Sequence, residues 1–129
     1  MARNWTANVK RYVPHADEAA INGIVRHLGM ALQSRDGTYI ACGDHNERER
    51  VRDNFLKHKL GVTGNDAELD RAIMDTCRQM KAEHDKPRVT FYYLLAERYG
   101  KLALFTSATG QIERLVTSGK AEAQIQVKP

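Results

Sequence analysis

Apolar positions along the chain fall into runs with helical spacing, separated by polar stretches rich in turn residues. Trp5, Val9, Tyr12 and Val13 share one face of a short first helix, and Pro14 ends it. Asp17 is placed to cap a second helix, in which Ala20, Ile21, Ile24, Val25, Leu28, Ala31 and Leu32 form a stripe wide enough to face a core. Gly23 lies inside that helix, where glycine costs about 1 kcal/mol relative to alanine, so its presence predicts the close approach of a neighbouring helix. In QSRDGTYIACGD, residues Ser34, Asp36, Gly37 and Gly43 supply turn chemistry around Tyr39, Ile40 and Cys42, which predicts a structured connector.

Asp44 can then cap a third helix that Gly61 stops, with Val51, Phe55 and Leu60 facing inward. Asn65 or Asp66 caps a fourth, where Leu69, Ile73, Cys77 and Met80 keep one face and the helix ends before HDKP. Pro87 fits the first turn of a fifth. There Val89, Phe91, Tyr92, Tyr93, Leu95, Ala96 and Tyr99 leave only Thr90, Glu97 and Lys101 as a narrow polar strip, so this helix is either the centre of the bundle or half of an interface. From Thr106 to Pro129 there is no aromatic residue and the apolar positions are scattered, which predicts a loosely ordered tail. The fold expected is all-α: a single compact bundle of about five helices over residues 1–105, with a flexible C-terminal tail over 106–129.

Composition narrows the class without naming a function. A chain of 129 residues is long enough to bury a core without disulfide or metal staples, and 28% charged with 42% apolar residues is ordinary globular usage. The longest apolar run, FYYLLA, falls far short of the ~20 residues that cross a bilayer, so no membrane span is expected. MARNWTANVKRYVPH has no continuous apolar core and does not read as a secretory signal, which places the protein in the cytoplasm. In that setting Cys42 and Cys77 are expected to be free thiols. The net charge of +4 permits contact with an anionic partner and specifies none.

The densest chemistry lies in CGDHNERERVRDNFLKHK, Cys42 to Lys59. His45 and Glu49 could share a helix face, but no H-E-x-x-H or paired C-x-x-C accompanies them. His45 reads as a solvated first-turn residue, Cys42 as a small buried thiol, His58 as a surface residue near a helix end, and Cys77 as part of a packing stripe. With no nucleophile elbow or phosphate-cradling glycine loop either, no catalytic residue, cofactor or metal is expected.

Nucleic acid is disfavoured on charge. Arg48, Arg50, Arg52, Lys57 and Lys59 alternate with Asp44, Glu47, Glu49 and Asp53, so pairs such as Asp44 with Arg48 and Asp53 with Lys57 consume the cations a phosphate face would need. FLKHKLGVTGNDAELDRAI imitates a helix-turn-helix, yet its second helix opens with Asp66, Glu68 and Asp70. Weak nucleic-acid or anionic-partner binding, the alternative function, would run through Arg48, Arg52, Lys57 and Lys59. The first expectation is a non-catalytic protein-interaction module that self-associates or meets a protein partner, with Phe91, Tyr92, Tyr93 and Tyr99 as its interface.

The order of VKRYVP, VRHLGMALQSRD, ERVRDNFLKHKLGV and RVTFYYLLAERYGKLALF resembles a family of small all-helical bacterial proteins classed as a domain of unknown function. The likeness covers about residues 9–105, and its last run is the most specific. What the resemblance implies is a helical fold in a cytoplasmic bacterial setting, with no reaction, cofactor or catalytic residue to carry over.

Overall fold

The computed structural model describes residues 4–106, so the expected tail lies, from residue 107 on, outside the described residues. Helix α1 (Trp5–Lys10) opens on Asn4, whose side chain accepts from the Ala7 amide at 2.9 Å, and α2 (Glu18–Leu28) opens on Asp17, which accepts from Ala20 at 3.2 Å. Each cap satisfies an amide that has no partner inside its helix. The second helix is shorter than its apolar stripe. Gly29 takes a positive φ of 50°, and residues Gly29–Gln33 continue as a tighter 3-10 turn.

The connector is structured, as its composition predicts, and holds more order than turn residues announce. Ser34 caps a one-turn helix α3 (Arg35–Thr38), and β1 (Tyr39–Ile40) follows. It pairs antiparallel with β2 (Lys86–Pro87), Tyr39 opposite Pro87 and Ile40 opposite Lys86. Strands of two residues are too short to show any alternation, so the sequence carries no sign of this ladder. Pro87 consequently ends a strand and sits one residue before α6 (Arg88–Arg98), not in its first turn.

Asp44 caps α4 (His45–Arg50), accepting from the Asn46 amide at 2.9 Å and not pairing with Arg48. The helix runs on as a π-helical stretch (Val51–Lys59) that closes with the Leu60 amide on the Phe55 carbonyl at 2.8 Å. Its buried positions, Val51, Phe55, Leu56 and Leu60, recur at four to five residues, a wider spacing than an α-helix turns through, and the π winding keeps all four inward. Helix α5 (Asp66–Gln79) starts with a complete capping box between Asn65 and Glu68.

Helix α6 is the centre. Val89, Thr90, Phe91, Leu95 and Ala96 are fully buried and Tyr93 nearly so, with α1, α2 and α5 packed around them. Its polar atoms find partners on α1 and on the segment that leads into α2. Thr90 donates to the Asn8 side chain, the Asn8 amide donates to Glu83 at 2.9 Å, Tyr12 donates to Glu83, and the Tyr93 hydroxyl accepts from the Asp17 amide at 2.8 Å. Burial, with the Glu83 bond and charge, pushes the Tyr12 phenol up to about 12. A final 3-10 turn (Leu102–Phe105) lies against α2. There Gly23 meets its expected neighbour, a turn in place of a helix: a β-carbon at Gly23 would sit 1.7 Å from the Phe105 carbonyl oxygen.

The cysteines correct the expectation of free thiols. Cys42, at the end of the connector, and Cys77, on α5, form a disulfide with their α-carbons 6.1 Å apart. A separation of 35 residues hides this proximity from the sequence, because only the folding of α4 back along α5 creates it.

Gly23→Ala must push the 102–105 turn off α2, and a loss of about 1–3 kcal/mol in urea-unfolding stability is expected. Reducing the Cys42–Cys77 bond, or replacing both residues by serine, frees a loop of that length in the unfolded chain. It should lower stability by about 4 kcal/mol, read as a fall in the unfolding midpoint that dithiothreitol reproduces in the unmodified chain.

Candidate functional site

The side chain that organises the surface around α6 is Arg88, the first residue of that helix. Its side chain is 10% exposed, and its guanidinium meets the carboxylate of Glu47, a side chain 7% exposed, at 2.6 Å. The remaining hydrogen bonds go to the connector and its own helix: Nε to the Gly37 carbonyl at 2.8 Å, Nη2 to the carbonyls of Asp36 at 2.6 Å and Tyr39 at 3.2 Å, and Nη1 to the Tyr92 hydroxyl at 3.3 Å. The one-turn helix α3 has carbonyls at its end that nothing inside it can satisfy, and a cation held there completes them. Burial opposes the charge on Arg88, but the bonds from Glu47 and Tyr92 outweigh it and hold the group above the ordinary guanidinium range. Burial also raises the Tyr92 phenol, against the pull of Arg88.

Above this floor opens a pocket of about 390 Å³. One wall is the connector, with Asp36, Gly37, Tyr39 and Ala41. The other is the face of α4 and its continuation, with Asp44, Glu47, Arg50 and Asn54, and Arg88 and Tyr92 lie beneath. Glu47 stands three residues after the Asp44 cap, where a capping-box glutamate would reach back to the cap amide. Here it turns inward to Arg88 instead, and its second oxygen lies 3.7 Å from Arg50. The lining mixes both signs of charge with two phenols and an amide, a surface suited to polar recognition.

A family model described as "Protein of unknown function (DUF2853)" matches residues 4–103. The chain belongs to the DUF2853 family. No curated protein matches it. The match takes in every element from α1 to the start of the last 3-10 turn, so the DUF2853 domain and the packed helical body coincide.

Most of the residues singled out in the sequence are placed elsewhere in the DUF2853 fold. Of the four proposed interface aromatics, Phe91, Tyr92 and Tyr93 are buried inside the chain, as the central position of their helix requires, and Phe55 stacks on Tyr92 with ring centroids 3.7 Å apart. Tyr99 is half-buried and lines a separate hollow of about 360 Å³ with Arg71 and Arg98. The proposed anion-contacting cations are each engaged. Arg48 donates to the Cys42 carbonyl at 2.7 Å, and Arg52 contacts Asp53, Asp66 and Asp70 at 2.9–3.8 Å. Lys57 sits 2.6 Å from Asp66 and 3.5 Å from Asp53, while Lys59 lies over the Phe105 ring. The Asp53 bond, working against some desolvation, raises Arg52 well above its usual range.

Cys42 is bonded to Cys77, and His45 is an exposed residue 3.2 Å from Glu49. Among the described residues no group of three or more His, Cys, Asp or Glu is placed to hold a metal. No described helix is long and apolar enough to cross a membrane.

Sequence reasoning passed over Arg88 and took Glu47 only as one of the acids that alternate with the cations of its helix. The signals present were the Asp44-x-x-Glu47 spacing and the Arg88/Tyr92 pair one turn apart, and neither reveals a partner 41 residues away. Arg88→Met would leave a buried carboxylate and three connector carbonyls unmatched, with an expected loss of about 3–5 kcal/mol. Glu47→Leu combined with Arg88→Met should cost less than the two single changes summed, which a double-mutant cycle in urea reads directly.

Proposed function

We propose that this DUF2853 chain is a non-catalytic interaction module that docks a protein partner through the pocket above Arg88. The observation that carries this is the fixed floor. A guanidinium held by five acceptors on the connector, α4 and α6 is a preformed surface, so little conformational freedom remains to be lost on binding. Around that floor, Arg50 is 59% exposed and Asn54 is exposed, which leaves adaptable polar groups at the mouth.

Self-association through Phe91, Tyr92, Tyr93 and Tyr99 has little support, because the core already uses the area of the first three. Nucleic-acid binding through Arg48, Arg52, Lys57 and Lys59 is disfavoured for a parallel reason. Three of these cations donate to oxygen acceptors of the chain and the fourth rests on an aromatic ring, so little unbalanced charge is left for phosphate. A cytoplasmic setting and the Cys42–Cys77 bond pull in opposite directions, since reducing pools keep thiols open, and a polar docking pocket serves in either compartment.

Photocrosslinking in cells tests the docking face. A benzoylphenylalanine at position 54, on the pocket wall, should give a discrete adduct with another protein, and the same group at position 22, on the outer side of α2, should not. Equal labelling from both sites, or none from position 54, would remove the pocket as the docking element.

A further inference from the structure

Two buried polar atoms in the pocket floor are left open by the fold. Tyr92 is 8% exposed, and its hydroxyl oxygen accepts from Arg88, but its own proton has no acceptor among the described residues. Glu47 engages Arg88 through Oε1, whereas among the described residues Oε2 is approached only by Arg50, at 3.7 Å and beyond hydrogen-bond reach. Buried groups of this kind are almost always paired, so an open donor and an open acceptor on one pocket point to something that occupies it. They are neighbours by construction, because Arg88 holds Tyr92 on Nη1 and Glu47 on Nη2 of the same guanidinium.

We propose that the pocket binds a carboxamide, its carbonyl accepting the Tyr92 O–H and its N–H donating to Glu47 Oε2. A carboxylate offers no donor for Glu47 and would face the carboxylates of Asp36 and Asp44 as well. An ammonium offers no acceptor for Tyr92 and would sit against Arg88 and Arg50. The amide carries both functions without net charge, and the second lone pair of its oxygen is available to Arg50 or Asn54 on the wall. Combined with the docking reading above, on which this step rests, the group presented by the partner is an asparagine or glutamine side chain.

An NMR titration of the full chain with propionamide, propionate and propylamine separates the chemistries. Propionamide should shift the Arg88 Nε–H and the amides of residues 36–47 saturably, and the two charged analogues should not. Tyr92→Phe keeps the ring on Phe55 and removes the donor, so its affinity for propionamide should fall about five- to tenfold, the effect of one hydrogen bond. Arg50→Met, a change on an exposed side chain, should weaken binding less.

No saturable shift from propionamide would mean that ordered water alone fills the floor, and the proposal would fall. It would also fall if propionate bound as well, or if folded Tyr92→Phe bound propionamide unchanged. Adducts from position 54 without a propionamide response would leave the docking face standing and remove only the carboxamide. A propionamide response without adducts would do the reverse.

Discussion

A single buried guanidinium fixes the arrangement of three parts of this chain that share no continuous helix. Arg88 ties the first turn of α6 to the 36–39 connector and to α4, and it does so with directional bonds that apolar packing cannot supply. Hydrophobic burial would bring α6 to the centre of the bundle in any of several rotations, since its apolar positions run nearly all round it. The arginine selects one, because only one rotation brings its fork to Glu47 and the connector carbonyls together. The pocket follows from that choice: the connector and α4 are both tied to the guanidinium, and the hollow opens between them.

What could be read in the chain follows from range. The helices, the Asn65 cap, the stop at Gly61 and the burial of Val51, Phe55 and Leu60 depend on residues a few positions apart, and the spacing carried them. Gly23 was legible as a close approach, though its neighbour is the carbonyl of Phe105, more than eighty positions on. The Arg88–Glu47 pair, the Cys42–Cys77 bond and the β1–β2 ladder all join distant segments, and no local pattern marks either end. Arg88 is instructive because a charge at the mouth of an apolar helix reads as a boundary, when here it is the anchor.

The aromatic residues of α6 show how an ambiguous pattern is decided by the remainder of the chain. A helix apolar on every side can be a core or a seam, and the outcome depends on whether enough neighbours exist to cover it. Here α1, α2, α5 and the 102–105 turn suffice, the turn being admitted to its place by the missing side chain at Gly23. Two charged residues of the π continuation, Arg52 and Lys57, are spent in the same way, clamping the start of α5 through Asp66 and Asp70.

The disulfide also changes how the DUF2853 domain would respond to tension. Cys42 and Cys77 enclose α4, its π continuation and most of α5, so a force applied at the chain ends passes through the sulfur bridge and bypasses everything between. About 120 Å of contour length, for 35 residues fully extended, stays locked while α1, α2 and α6 are drawn out. The segment carrying one whole wall of the pocket would then remain a closed ring after the helix that forms its floor had been pulled away.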